Sequence, residues 1–206
     1  MNEKFFDDWS HDLKWGIHQA RCVVGHNLKV AWNLTRMHSL MPKESYKTFA
    51  HQIADAIPGA GCDNQRGGWY DMMERTLKDG EENYRRVWHD RKAWWQQEQG
   101  ILAYYIMAGV YDDKPEYLNY AREGSAFYNG WFLDYEEGGI YFNVLANGQP
   151  YSLGSERGKG SHSMAGYHSF ELCFLSAVYT NLLVNKQPMD FFFKPNPHAW
   201  PENKLR

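Results

Sequence analysis

Gly67-Gly68-Trp69-Tyr70-Asp71 and Gly138-Gly139-Ile140-Tyr141-Phe142 decide the reading of this chain, because they stand 71 residues apart (67 to 138) and each follows the same succession of elements. Ahead of the first, His26 to Leu40 carries Leu28, Ala31, Trp32, Leu34, Thr35 and Met37 over more than one face, the pattern of a helix buried among other helices. Pro42 opens a second helix at its first turn, running to about Ile57, where Pro58-Gly59-Ala60-Gly61 is expected to stop it. Aromatic-rich residues flanking Asp79-Gly80 predict a β-hairpin. The succession then returns: a helix over Lys92 to Val110, another from Pro115 to about Leu133, and a second hairpin around Asn147-Gly148. A last helix, roughly His162 to Val184, sets Met164, His168, Leu172, Leu175, Tyr179 and Leu182 at three- and four-residue steps. Residues 1–25, with Gly16 and Gly25, show no period and read as an irregular lead-in, while Pro188, Pro195, Pro197 and Pro201 predict an extended tail.

The same step of 71 links His26, Gln97 and His168, one near the start of each helix that follows a lead-in. Repeats of helix, returning helix and hairpin stack side by side and bury a continuous core. Equivalent positions then face the same way, so these three side chains are expected to point in one direction. The expected fold class is all-α, built of helical hairpins with short β-hairpin insertions over residues 1–186, followed by a Pro- and aromatic-rich tail over 187–206.

Composition narrows the function classes. Of 206 residues, 43% are hydrophobic, and 9 Trp, 14 Tyr and 11 Phe exclude a solvating, disordered chain. The 22 basic and 25 acidic residues leave a net charge of −3, without the basic surface that nucleic acid demands. Cys22, Cys62 and Cys173 lie far apart, without CxxC spacing, which fits a reducing compartment. Met1 to Trp9 is polar and acidic, unlike a signal peptide, and the longest apolar run, Ile101 to Tyr111, is well short of the ~20 residues of a membrane span. A cytoplasmic protein without nucleic-acid or membrane partners is expected.

A histidine in a helix's first turn is ordinarily a capping or core residue. His26, in Gly25-His26-Asn27-Leu28-Lys29, departs from that reading because His168 holds the corresponding place in Gly166-Tyr167-His168-Ser169-Phe170-Glu171, and each has a charged residue three positions on, Lys29 and Glu171. Between them, Trp94-Trp95-Gln96-Gln97-Glu98-Gln99 pairs flat apolar faces with amides, a combination suited to sugar C–H surfaces and hydroxyls, although two core tryptophans with a solvated polar face give the same string. Gly154-Ser155-Glu156-Arg157-Gly158-Lys159-Gly160-Ser161 fails as a phosphate loop, with one residue too few between its glycines and Gly after the lysine. His162 and His168, six apart, do not share a helix face as paired metal ligands do. No metal and no cofactor are expected.

Gly25-His26, Trp94-Trp95-x-Gln97, the Gly-Gly-aromatic segments, and Lys159-Gly160 leading to Tyr167-His168 together resemble the N-acylglucosamine 2-epimerase family, which includes cellobiose 2-epimerases and sugar aldose–ketose isomerases. The resemblance runs from about Gly25 to Val184. It implies part of an (α/α)6 toroid, six inner helices lining a sugar pocket within six outer ones, and makes His26 and His168 the catalytic acid and base. Substrate-binding roles fall to Lys29, Trp94, Trp95, Gln97 and Glu171. Lys29 stands where the family has Glu, Glu171 where it often has Arg, and Gln99 where it tends to have Glu; the first two read together as one ion pair with its charges exchanged. Six units of this size need roughly twice this chain, so it corresponds to the family's C-terminal half, with self-association or a missing N-terminal half as the expected completion.

The chemistry so implied is proton transfer at C2 of an open-chain sugar, one histidine removing the proton alpha to the carbonyl and the other supplying one. Inversion at C2 gives a 2-epimer, and return of the proton to C1 gives a ketose. Two rivals stand beside it. A glycoside hydrolase or lyase on the same architecture needs facing carboxylates, which only Glu98, Asp71 and Glu171 can supply. A non-catalytic carbohydrate-binding fragment needs none.

Overall fold

Asp63 and Asp134 each stand four residues ahead of a Gly-Gly pair, and the computed structural model shows what that repeat builds. Asp63 Oδ1 accepts the backbone N–H groups of Gln65 and Arg66, and Asp134 Oδ1 those of Glu136 and Glu137. The chain then turns through two left-handed residues, Gly67 and Gly68 (both φ +79°) or Gly138 and Gly139 (φ +76° and +91°), a conformation open to glycine. A lysine closes each turn from a distant segment. Lys92 Nζ donates to Asp63 Oδ2 at 2.8 Å and to the Gly67 carbonyl at 2.6 Å, and Lys159 Nζ to Asp134 Oδ2 at 2.8 Å and the Gly138 carbonyl at 2.9 Å. Lys92 and Asp63 are both buried, so this first ion pair is fully enclosed.

The structure describes residues 2–12, 14, 20–161 and 163–190. Five helices follow in order: α1 (Val24–Leu40), α2 (Glu44–Gly61), α3 (Trp94–Val110), α4 (Glu116–Trp131) and α5 (Tyr167–Tyr179), the last running on as a π-helical stretch over Thr180–Val184. Helices α1, α3 and α5 lie side by side in an inner layer with α3 in the middle, while α2 packs on α1 and α4 on α3. His162, the expected start of the last helix, and the aromatic tail residues Phe191, Phe192, Phe193 and Trp200 lie outside the described residues, as does Gly16.

Two expectations are corrected. The Gly-Gly segments do not form self-contained hairpins. Strand β2 (Met72–Glu74) pairs antiparallel with β1 (Arg21–Val23), in the stretch expected to be irregular, and β4 (Asn143–Leu145) with β3 (Arg91–Ala93). In register, Arg21 faces Glu74 and Arg91 faces Leu145. Strands β1 and β3 therefore each lead into an inner helix, and each is paired by the segment after a Gly-Gly turn. The returning limbs contribute only isolated bridges, Met73 to Arg86 and Val144 to Pro150. A pairing across some fifty residues leaves no local trace, whereas the Asp-Gly turn does.

Nor does Pro58 end α2, which continues to Gly61 with the proline inside it. A proline in a helix leaves the carbonyl four residues back without its donor. Here that carbonyl belongs to Ala54, and the Tyr104 hydroxyl of α3 donates to it at 2.9 Å. The helix end is also tied to α1: a Cβ on Gly61 would stand 2.7 Å from Val24 Cγ2.

The core centres on α3, where Trp94 and every residue from Gln96 to Tyr104 are buried. The Trp69 ring, itself buried, fills the gap between Gly100 of α3 and Gly124 of α4, and a Cβ at either glycine would collide with it. The edges of the inner layer differ. Tyr167, Phe170, Phe174 and Val184 expose a line of apolar surface along α5 and its extension, Phe170 to 69%, and Leu40 at the far end of α1 is 86% exposed.

Tyr104→Phe should lower stability by about 1–3 kcal/mol, since it strips a buried carbonyl of its donor. Adding Pro58→Ala, which restores a backbone N–H beneath Ala54, should recover part of that loss in a denaturant-unfolding cycle. Independent, additive effects of the two substitutions would contradict the compensation.

Candidate functional site

The N-terminal turns of α1, α3 and α5 open onto one cavity of about 430 Å3, lined by His26 and Lys29 from α1, Trp94 and Trp95 from α3, and Tyr167 and His168 from α5. Asp71, Arg91 and Glu156 form a charged wall beside them. Arg91 donates to Asp71 Oδ2 from Nε at 2.8 Å and again from its terminal nitrogen, and pairs with Glu156 at 3.3 Å. Burial pushes the Asp71 carboxyl upward against the pull of Arg91.

Both imidazoles pack on the indole of Trp95, His26 at 5.0 Å and His168 at 5.4 Å between ring centroids. His26 is exposed, and its Nδ1 lies 3.0 Å from Glu3 Oε1. His168 is buried between Tyr167, at 3.8 Å, and Trp95. Burial, reinforced by the positive charge of Lys29, pushes its pKa down to about 4, so the ring is neutral at neutral pH. Lys29 and Glu171 form the ion pair expected from their spacing, at 3.3 Å. Trp94 is buried against Phe142, centroids 4.5 Å apart, and contributes wall more than open face.

Gln97 is not brought to this cavity. It is fully buried, its Oε1 accepts the Trp69 N–H at 2.8 Å, and its Nε2 donates to the Trp69 and Ala93 carbonyls. The register explains why. Asn27 Nδ2 donates to the carbonyl four residues back, Val23, as Gln97 does to Ala93, so Asn27 is its counterpart at a step of 70 (27 to 97). The Gly-Gly turns keep a step of 71, but the inner helices do not, and the residue matching His26 is Gln96. Gln96 is buried too, its Oε1 accepting the Gly25 N–H at 2.6 Å and its Nε2 donating to Asp71. The polar string after Trp95 is therefore neither solvated nor open to a sugar.

Of the three carboxylates expected as candidates for the pair a hydrolase needs, Asp71 alone lines the cavity, held by Arg91. Glu171 is engaged by Lys29 and Gln99. Glu98 is buried away from the cavity, its Oε1 accepting the Tyr128 hydroxyl at 2.6 Å and the Ser169 hydroxyl at 2.5 Å, its Oε2 without a hydrogen-bond partner among the described residues. Burial raises its pKa to about 7. Sequence reasoning missed Glu3, Arg91 and Glu156. Only Arg91 carried a signal, standing beside Lys92 just ahead of the tryptophan pair. Among the described residues no cluster of His, Cys, Asp and Glu is placed to hold a metal ion, and no helix is long and apolar enough to cross a membrane.

No protein-family model matches the sequence, and no curated protein matches it. Solved structures do. The fold is similar to that of a D-mannose isomerase (TM-score 0.68, 19% identity, 84% of this chain and 43% of that one). It is also similar to the cellobiose 2-epimerases of Spirochaeta thermophila (0.65, 19%, 87% and 41%) and Bacillus thermoamylovorans (0.63, 20%, 84% and 40%). At such identities the likeness establishes the fold. The chain spans less than half the length of each of these structures.

Two predictions follow from the site's charges. Because the folded-state pKa of Glu98 is raised, its contribution to stability is fully present below the ordinary carboxylate range and is lost as pH rises through about 7. His168, pushed down to about 4, acts with the opposite sign below its ordinary value. The difference in unfolding free energy between wild type and Glu98→Gln isolates the carboxyl, and should shift against the wild type by on the order of 3 kcal/mol between pH 4 and 8. A pH-independent difference would contradict the assignment. For the partly buried ion pair, Lys29→Ala or Glu171→Ala should each cost about 1–2 kcal/mol, and the exchanged pair Lys29→Glu with Glu171→Lys should unfold at a higher temperature than either single charge reversal.

Proposed function

We propose that this chain carries the catalytic histidines of a sugar 2-epimerase or aldose–ketose isomerase of the N-acylglucosamine 2-epimerase type, an isomerase acting on an open-chain sugar by proton transfer at C2. The observation that carries the reading is the convergence of His26 and His168 on one cavity, both packed on the Trp95 indole. The likeness in fold to sugar epimerases and isomerases supports it.

Each part of the site has work to do in that reaction. The partly open indole of Trp95 offers a flat apolar face to sugar C–H groups. A neutral imidazole removes the proton alpha to the carbonyl, because histidine keeps both protonation states within reach near neutrality. The electron pair moves into a C1=C2 double bond and charge develops on O1. Lys29 and the three inner-helix N-termini at the cavity place positive charge and N–H donors beside that oxygen. Neither the transfer nor its stabilisation calls for a metal or cofactor.

Three inner helices are half of the six in an (α/α)6 toroid, and the reading takes residues 1–186 as part of such a toroid and 187–206 as a tail. The exposed apolar line on α5 is the edge at which further inner helices, from a second copy or from the other half of the ring, would continue the layer. The substrate is a small sugar and the setting cytoplasmic.

Incubation with D-mannose or cellobiose in D2O, followed by NMR at the sugar C1 and C2 positions, tests the reading. His26→Asn and His168→Asn should each lower turnover and C2 exchange by about 100-fold or more while leaving the circular dichroism spectrum unchanged. Full turnover in both folded variants would sink the histidine mechanism, and sugar binding without exchange in the wild type would favour the carbohydrate-binding alternative.

A further inference from the structure

The hydrogen bonds behind His168 leave little freedom in where its proton sits. Gln99, fully buried on α3, has three partners. Its Oε1 accepts the Trp32 indole N–H at 2.9 Å, and its Nε2 donates to Glu171 Oε2 at 2.8 Å and to His168 Nδ1 at 3.1 Å. An indole nitrogen is only a donor and a carboxylate only an acceptor. Turning the amide over would set N–H against N–H at Trp32 and oxygen against oxygen at Glu171, so its orientation is determined twice, independently of the histidine. Nδ1 of His168 therefore faces an N–H, and a hydrogen of its own there would meet another donor. On α1 the arrangement is reversed: His26 Nδ1 lies 3.0 Å from Glu3 Oε1, so this nitrogen carries a hydrogen, and in the neutral ring Nε2 is the lone pair.

We infer that Gln99 is a positioning residue that holds His168 as the Nε2–H tautomer, making the site a one-base site in which His26 moves the proton and His168 only donates a hydrogen bond, and hence an aldose–ketose isomerase rather than a 2-epimerase. The inference rests on the sugar reading above and selects between its two outcomes. His26 Nε2 takes the proton from C2, the C–H pair becomes the C1=C2 bond, and the carbonyl pair moves onto O1, which accepts from His168 Nε2–H and lies within the field of Lys29. The proton on His26 returns to C1 on the same face, and the O2 hydroxyl proton passes to O1 as C2 becomes the carbonyl. No proton is gained or lost overall. Inversion at C2 instead needs a second, charged donor on the opposite face. His168 faces Lys29 and His26 from α1 and Glu171 from its own helix, and burial with the Lys29 charge keeps its pKa near 4, so it does not carry the extra proton at neutral pH.

Long-range 1H–15N NMR on the 15N-histidine-labelled chain, without sugar, reads the tautomer directly. His168 should show an unprotonated Nδ1 and a protonated Nε2 at neutral pH, titrating only in acid. In Gln99→Glu, where a carboxylate replaces the amide donor, the hydrogen should move to Nδ1 or the ring should become charged, with its titration shifted upward. An Nδ1–H form, or a comparable mixture, in the wild type overturns the inference, as does a Gln99→Glu variant whose His168 is unchanged. With D-mannose in D2O, the expected product is the ketose with part of the C2 protium carried to C1; a C2 epimer labelled from solvent overturns the one-base site. A chain that holds the Nε2–H tautomer yet turns over no sugar overturns the sugar reading, and the one-base chemistry with it, while leaving the hold of Gln99 on His168 in place.

Discussion

Four consecutive polar side chains, Gln96 to Glu98 and Gln99, lie fully buried in the first turns of α3, and the surrounding structure is organised by the bonds they require. Burying an amide or carboxyl without partners costs several kcal/mol, so each must be met. Successive helical residues point about 100° apart, and the four reach in four directions. Gln96 meets the start of α1 at Gly25 and the wall at Asp71, and Gln97 grips both sides of the Trp69 peptide. Glu98 joins Tyr128 of α4 to Ser169 of α5, and Gln99 joins Trp32 of α1 to His168 and Glu171 of α5. A hydrophobic helix in this position would pack but leave the sliding of its neighbours free; a polar turn fixes them, because each misplacement leaves a buried donor or acceptor without a partner.

That constraint links fold to site. The Gly25 N–H sits on Gln96, and a Cβ at Gly25 would stand 2.6 Å from Gln96 Cγ, so α1 begins in close contact with α3 and His26 follows in the next position. His168 is placed from behind by Gln99 and from its neighbour Ser169 by Glu98. The charged wall is tied to the same turn through Asp71, and Asp63 and Lys92 hold the Gly-Gly turn that presents Trp69 to Gln97. The cavity-facing residues are few, and the groups that orient them lie a layer deeper.

The order of helices and the repeat were legible in the sequence because they rest on local signals: apolar spacing, Asp-Gly and Gly-Gly turns, and prolines at helix starts. The pairing of Lys29 with Glu171 was legible because both lie three residues beyond a histidine on inner helices two repeats apart, α1 and α5, either side of α3. The strands were not, since β1 and β2 meet across the whole α1–α2 hairpin and each is three residues long. Pro58 misled for a tertiary reason, the hydroxyl of Tyr104 standing in for the missing N–H. Gln97 misled by a single residue of register, since a step of 71 held for the Gly-Gly turns while α1 and α3 are related by 70, and one residue turns a side chain by about 100°. Glu3 carried no signal, as nothing in a short polar lead-in marks a residue that reaches His26.

Hydrogen exchange of the side-chain carboxamides tests the organising role of this turn most directly. If the buried polar turn holds the inner layer together, the Nε2 protons of Gln96, Gln97 and Gln99 exchange as slowly as the core backbone amides of α3 and respond to denaturant with the slope of global unfolding. Rapid exchange of these carboxamides in a chain whose α3 backbone stays protected would show that the turn is solvated and that apolar packing alone sets the fold and the site.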